Sequence, residues 1–191
     1  MIDPLPTWLA DFALLPPDST GSEAPKNIAN FLDTKVTNKL DLNNSIAKVS
    51  PPPQFTWQKS IFQNLFALVS KIPSPDPITP AAKIAQAWQQ ATMASTLVIS
   101  AGATIAPPPP GTNGVAATAV ALIDPATLAL AVTNLITDLA AAGPTPTAAA
   151  SVLPKALYKA FTSITFTITG MDTKPPPAGP IPILLPITGV M

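Results

Sequence analysis

The chain has no cysteine, no histidine and, all ten of its cations being lysines, no arginine among its 191 residues. Without cysteine there can be no disulfide staple, thiolate nucleophile or Cys-ligated zinc, and the redox compartment stays open. Without histidine the commonest general base and metal ligand go too, and with them every Ser-His or Cys-His pair. No catalytic residue, metal ligand or cofactor site is therefore expected. Missing arginine removes the usual fork for phosphate and base edges, and ten lysines against ten carboxylates leave a net charge of +0, so no nucleic-acid partner is expected either. Long apolar runs are also lacking. Met93 to Ala106 falls short of the roughly 20 residues a membrane helix needs, and the next run is broken by Asp124-Pro125, so no membrane partner is expected. The opening residues, with Asp3, Pro4 and Pro6 where a signal peptide needs a basic and then an apolar stretch, give no secretory signal.

Charge itself is scarce. Charged residues make up 10% of the chain, against about 25% in an ordinary soluble domain. They are also unevenly placed: from Ile84 to Pro154 only Asp124 and Asp138 are ionised, in a stretch otherwise dominated by Ala, Thr, Ile, Leu and Val. Exposed to water, such a segment presents a sticky surface, so most of it must be covered by the chain itself or by neighbours. A chain of this composition near zero net charge tends to self-associate.

What the chain has in quantity is proline, 26 residues of it. The clusters at 51–53, 107–110 and 175–177 read as extended arms between helical stretches. A first apolar patch, Trp8, Leu9, Phe12, Leu14 and Leu15, fits two helical turns or an anchoring arm before Pro16-Pro17. Ala24 to Leu40 reads as a helix with Pro25 at its start. Thr56 offers an N-cap for a helix to about Lys71, with Trp57, Ile61, Leu65 and Leu68 on its face. Thr79-Pro80 opens another, carrying Ile84, Trp88 and Ala91. Ser95 to Ala106 is open between strand and buried helix. Asp124-Pro125 starts a helix that Gly143 stops, and Thr147 to Phe161 gives a last one with Pro154 as a kink. Ser163 to Thr169 alternates as a half-buried strand, and 175–191 is an apolar proline-rich tail. The expected fold class is mainly α: a short helix bundle, readable as repeated helix-pair units, with extended proline-rich arms and room for one small β-sheet. The units are 1–55, 56–114 and 115–174, followed by the tail 175–191.

The repeat has a sequence basis. Residues 28–53 lie over 84–109 without a gap, matching Ile28 with Ile84, Ala29 with Ala85, Val49 with Ile105 and one proline triplet with the other. A looser third copy sets Tyr158 against Trp88 and Pro175 to Gly179 against Pro107 to Gly111.

Local motifs add no chemistry. Ser45 and Lys48 have the spacing of a serine acyl-enzyme pair but lack its companion elements. Asp124 and Asp138 on one helix stand about 20 Å apart, too far to share a metal or proton. Pro77-x-x-Pro80 and Pro177-x-x-Pro180 lack the arginine of SH3 ligands, and Gly111 to Gly114 is a turn rather than a phosphate loop. Tryptophans on apolar faces are core or interface anchors. Because proline pays the entropy of extension in advance, Pro107 and Pro110 of the arm and Ile181, Leu184, Leu185 and Ile187 of the tail, with Trp8, are the candidate partner-binding residues.

The run from Ala87 to Gly102, the proline-glycine arm after it and the ending from Pro175 to Met191 resemble small virion structural proteins of tailed bacteriophages, of the tail, baseplate or neck. That resemblance implies a non-enzymatic building block of the virion, assembled in host cytoplasm, whose partners are copies of itself and other structural proteins of the same assembly. It implies no small-molecule substrate. The other reading of the proline-rich arms is a surface-exposed binding or adhesion module.

Overall fold

A computed structural model describes residues 2–16, 23–39, 48–69, 76–106, 115–117, 122–142, 146–172 and 182–187. The fold is mainly α. Among the described residues six helices, α1 (Leu5–Ala13), α2 (Ala24–Val36), α3 (Lys59–Val69), α4 (Ile78–Met93), α5 (Pro125–Ala141) and α6 (Pro146–Ser163), are accompanied by eight short strands: β1 (Lys48–Ser50), β2 (Gln54–Thr56), β3 (Thr96–Val98), β4 (Thr104–Ala106), β5 (Val115–Ala117), β6 (Leu122–Ile123), β7 (Phe166–Asp172) and β8 (Pro182–Ile187). α2 packs on α3, α3 on α4, α4 on α5 and α5 on α6, and α1 lies against α6. α1 also meets α2, where the Phe31 ring takes Trp8 at 4.9 Å and Phe12 at 5.2 Å, so the helices close into a ring.

The ring surrounds an aromatic centre. Phe161 has no exposed surface and stands 6.5 Å from Trp8, 5.6 Å from Trp57 and 5.5 Å from Trp88, the last two edge-on. Edge-to-face pairs add about 0.5–1.5 kcal/mol each to the area they bury. Two of the three indoles find acceptors: Trp8 Nε1 donates to the Pro154 carbonyl at 2.9 Å and Trp57 Nε1 to Thr92 Oγ1 at 3.4 Å.

Burial in α2 and α4 falls at the positions that the overlay sets together. Pro25, Ala29, Phe31, Leu32 and Val36 of α2 are buried, and so are their counterparts Ala81, Ala85, Ala87, Trp88 and Thr92 of α4. In α6 the corresponding inward positions are Pro154, Ala156, Leu157 and Phe161. This places Leu157 opposite Trp88, one residue before the Tyr158 that the sequence suggested. Tyr158 is only half-buried and turns to Trp8 at 5.5 Å. Val49 and Ile105, matched by the sequence repeat, are direct partners where β1 pairs antiparallel with β4.

Most strands form a six-stranded sheet in the order β1-β4-β5-β7-β6, with β8 also on β7, and β2 and β3 form a separate pair. All pairings are antiparallel. β8 runs along β7 from Phe166 to Met171, so β6 and β5 must share the opposite edge of β7, β6 at its start and β5 at its end.

Several local expectations are corrected. Thr56 is not an N-cap: it belongs to β2, opposite Thr96, and α3 begins at Lys59. α2 ends at Val36, where Asn38 turns to a positive φ of 58° and donates its N–H to the Phe55 carbonyl. α4 starts at Ile78, ahead of Thr79-Pro80, because the Asp76 carboxylate accepts from Ile78 N–H and Thr79 Oγ1. Ser95 to Ala106 resolves into β3 and β4 around a turn in which Gly102 takes a φ of 78°, a conformation that suits glycine. β7 begins at Phe166, later than expected, because α6 continues to Ser163. Asp124 does cap α5, accepting from Ala126 N–H at 2.8 Å.

Candidate functional site

No group of three or more metal-ligating side chains occurs among the described residues. Lys48 lies in β1, while Ser45 lies outside the described residues. Asp124 is engaged as a cap and Asp138 as the partner of Lys159 at 2.8 Å. Among the described helices none is long and apolar enough to cross a membrane.

The feature with functional content is the surface. Several of the charges join elements of the chain to one another. Lys35 reaches from α2 to Asp3 at 2.6 Å and Asp11 at 2.5 Å, tying the N-terminal segment to the ring. Its side chain is only 13% exposed, and the hydrogen bonds to Asp11 and then Asp3 raise its pKa above the ordinary 10.5. The bond from Lys35 correspondingly lowers that of Asp3 below 3.8. Lys59 pairs with Asp33 at 3.1 Å, linking α3 to α2, and Lys159 joins α6 to Asp138 of α5.

The outer face of α5 is left bare of charge, whereas α2, α3, α4 and α6 each expose a lysine. On α5 the exposed positions are Pro125, Ala126, Ala129, Leu130, Thr133, Asn134, Thr137 and Ala141, with no ionised group among them. Leu130 is 60% exposed at the middle of that face, and Met93 at the end of α4 is 64% exposed. Leu14, Leu68, Ile78 and Val98 are further large apolar residues open to solvent. Among the described residues of the poorly charged stretch from Ile84, Ala85, Trp88, Ala91, Leu128, Leu135 and Leu139 are buried, while Met93, Ala129, Leu130 and Thr133 are exposed.

Two helix pairs carry grooves at equivalent places. Between α3 and α4 a groove of about 300 Å³ is lined by Leu65, Leu68, Val69, Ala87 and Gln90 among others. Its counterpart between α5 and α6, about 340 Å³, carries Asn134, Thr137, Asp138, Ala156 and Lys159 in the same order. There the Asp138–Lys159 pair spans the positions that Val69 and Gln90 occupy in the first groove. The ion pair spans one groove, whereas Lys83, Gln86 and Gln90 supply the polar lining of the other.

The expected partner-binding residues separate. Trp8 has no exposed surface and is held by Pro154, Phe31, Tyr158 and Phe161, so it anchors the chain's own core and offers nothing to a neighbour. Leu184, Leu185 and Ile187 lie in β8, paired with Thr169, Ile168 and Phe166 of the same chain. Pro107, Pro110 and Ile181 lie outside the described residues. The bare face of α5 was legible as an absence of charge but not as a face, since its inner and outer residues are equally apolar in sequence. The Lys35 clamp joins residues far apart in the chain, and no local signal marks it. Comparison of the chain with protein-family models, with curated proteins and with solved structures gave no match.

Proposed function

We propose that the protein is a non-enzymatic structural subunit of a large assembly, built from many copies of itself together with other structural proteins. The observation that carries this reading is the uncharged outer face of α5 with Leu130 at its centre, on a molecule whose ion pairs are largely engaged internally. Water gains little from such a face, whereas a second protein surface that excludes water from it gains apolar burial of roughly 25 cal/mol per Å². A phage virion, in its tail, baseplate or neck, is the setting that the resemblance of the whole chain favours. In that setting the protein acts through shape and subunit packing, and has no need of a cofactor.

The experiment is light scattering coupled to size-exclusion chromatography on the purified chain, followed by negative-stain electron microscopy of the heavy fraction. Discrete, symmetric particles or rings are expected. A concentration-independent monomer, joined by specific binding of a soluble ligand, would instead favour an adhesion module.

A further inference from the structure

We infer that β8 is an exchangeable strand, seated on β7 of a second copy of this chain in the assembled state. The inference rests on the structural-subunit reading and names the element through which copies interlock.

The register fixes which way each residue of β8 faces. Asp124 N–H donates to the Thr165 carbonyl on the β6 side, and β6 pairs Thr167 with Leu122 on that same side. Alternation along the strand then turns the backbone groups of Phe166, Ile168 and Gly170 toward β8, where their partners are Ile187, Leu185 and Ile183. Pro182, Leu184 and Pro186, opposite Met171, Thr169 and Thr167, turn their backbone outward. Proline has no N–H, so two of the three outward positions cannot donate to a further strand. β8 therefore bonds on one edge and ends the sheet on the other, as a terminating strand does.

Its attachment to its own chain is correspondingly limited. Among the described elements β7 is the one with which β8 has more than a marginal contact. What holds it is a backbone ladder that an identical strand from another copy reproduces bond for bond. The sequence joining β7 to β8, Thr173 to Ile181, contains Pro175, Pro176, Pro177 and Pro180, and is longer than the two to five residues of an ordinary hairpin loop. At up to about 3.3 Å per residue it reaches roughly 30 Å, enough to cross to an adjoining subunit. Exchange thus conserves every ladder bond and adds a covalent tether between copies, the condition under which swapping is cheap.

The chain has no cysteine, so engineered thiols report cleanly. Thr169 and Leu184 are an outward, non-hydrogen-bonded pair, whose Cα separation of about 4.5 Å falls in the disulfide range. Thr169→Cys and Leu184→Cys are made as separate full-length variants, mixed under mild denaturant, reassembled, oxidised and run on a non-reducing gel, with native mass measured on the same sample. The expected result is a disulfide-linked dimer of the two variants in the assembled fraction, at least ten-fold above either variant alone. The double variant in one chain is the control for register. If it closes as a monomer-sized, fully oxidised band while the native mass is oligomeric, exchange is refuted and the subunit reading stands. If the native mass is monomeric, the subunit reading fails and exchange fails with it. If no disulfide forms in any sample, β8 does not sit on β7 in this register and the inference is refuted.

Discussion

Replacing Phe161 by alanine is the sharpest probe of how the ring is held together. The side chain is fully buried and is the one ring in contact with Trp8, Trp57 and Trp88 alike. Truncating a buried phenylalanine costs about 3–5 kcal/mol, because the lost transfer energy is joined by the cavity left behind. Here the cavity is walled by three indoles anchored on different elements, α1, the β2–α3 junction and α4, which cannot all collapse inward together. A loss of about 4 kcal/mol is expected, which for a chain of this length lowers Tm by roughly 8–16 °C. All three tryptophans report on the site, so urea unfolding followed by tryptophan fluorescence reads the effect directly, with Phe161→Leu, which fills more of the cavity but loses the ring contacts, expected to lose less than Phe161→Ala. If Phe161→Ala cost less than about 1 kcal/mol, the aromatic hub would not be a structural centre.

Lys35→Met tests the clamp on the N-terminal segment. The raised pKa of Lys35 contributes stability that is complete below its ordinary 10.5 and is lost as pH rises through the folded value. The lowered pKa of Asp3 contributes stability present above 3.8 and lost as pH falls through its folded value. The variant should therefore lose about 1–2 kcal/mol near neutral pH, the partial exposure of both carboxylates being allowed for, and its urea midpoint should vary less with pH at both extremes. An unchanged pH profile contradicts the clamp. Asp124→Ala removes the α5 cap and should lower stability by about 1 kcal/mol in the same assay, and an unchanged midpoint counts against the capping bond. Leu130→Lys, on an exposed position, should leave unfolding within about 0.5 kcal/mol of the parent yet reduce association in light scattering. Undiminished association removes the α5 face from the interface.

Features decided by neighbouring residues were legible before the structure. Asp124-Pro125 starts α5 as read, because a cap and a pre-set φ act within one turn. Where a distant partner decides, the sequence was mute or misleading. Thr56 looks like a cap until Thr96 draws it into a strand, and Ser95 to Ala106 is apolar enough for either state until β2 and β1 supply its partners. Trp8 and Trp57 read alike as apolar anchors, and only the Pro154 carbonyl and Thr92 hydroxyl tell what holds each. That residues 182–187 of the tail would pair with β7 was marked by no local signal.

On the proposed reading, a molecule with an uncharged outer face on α5 exists as one of many copies. Sedimentation of the purified chain over a wide concentration range tests it most directly. A dominant species is expected whose mass is a fixed multiple of 19.6 kDa and which loses that mass in Leu130→Lys. A single 19.6 kDa species at every concentration, soluble and fully folded, contradicts it.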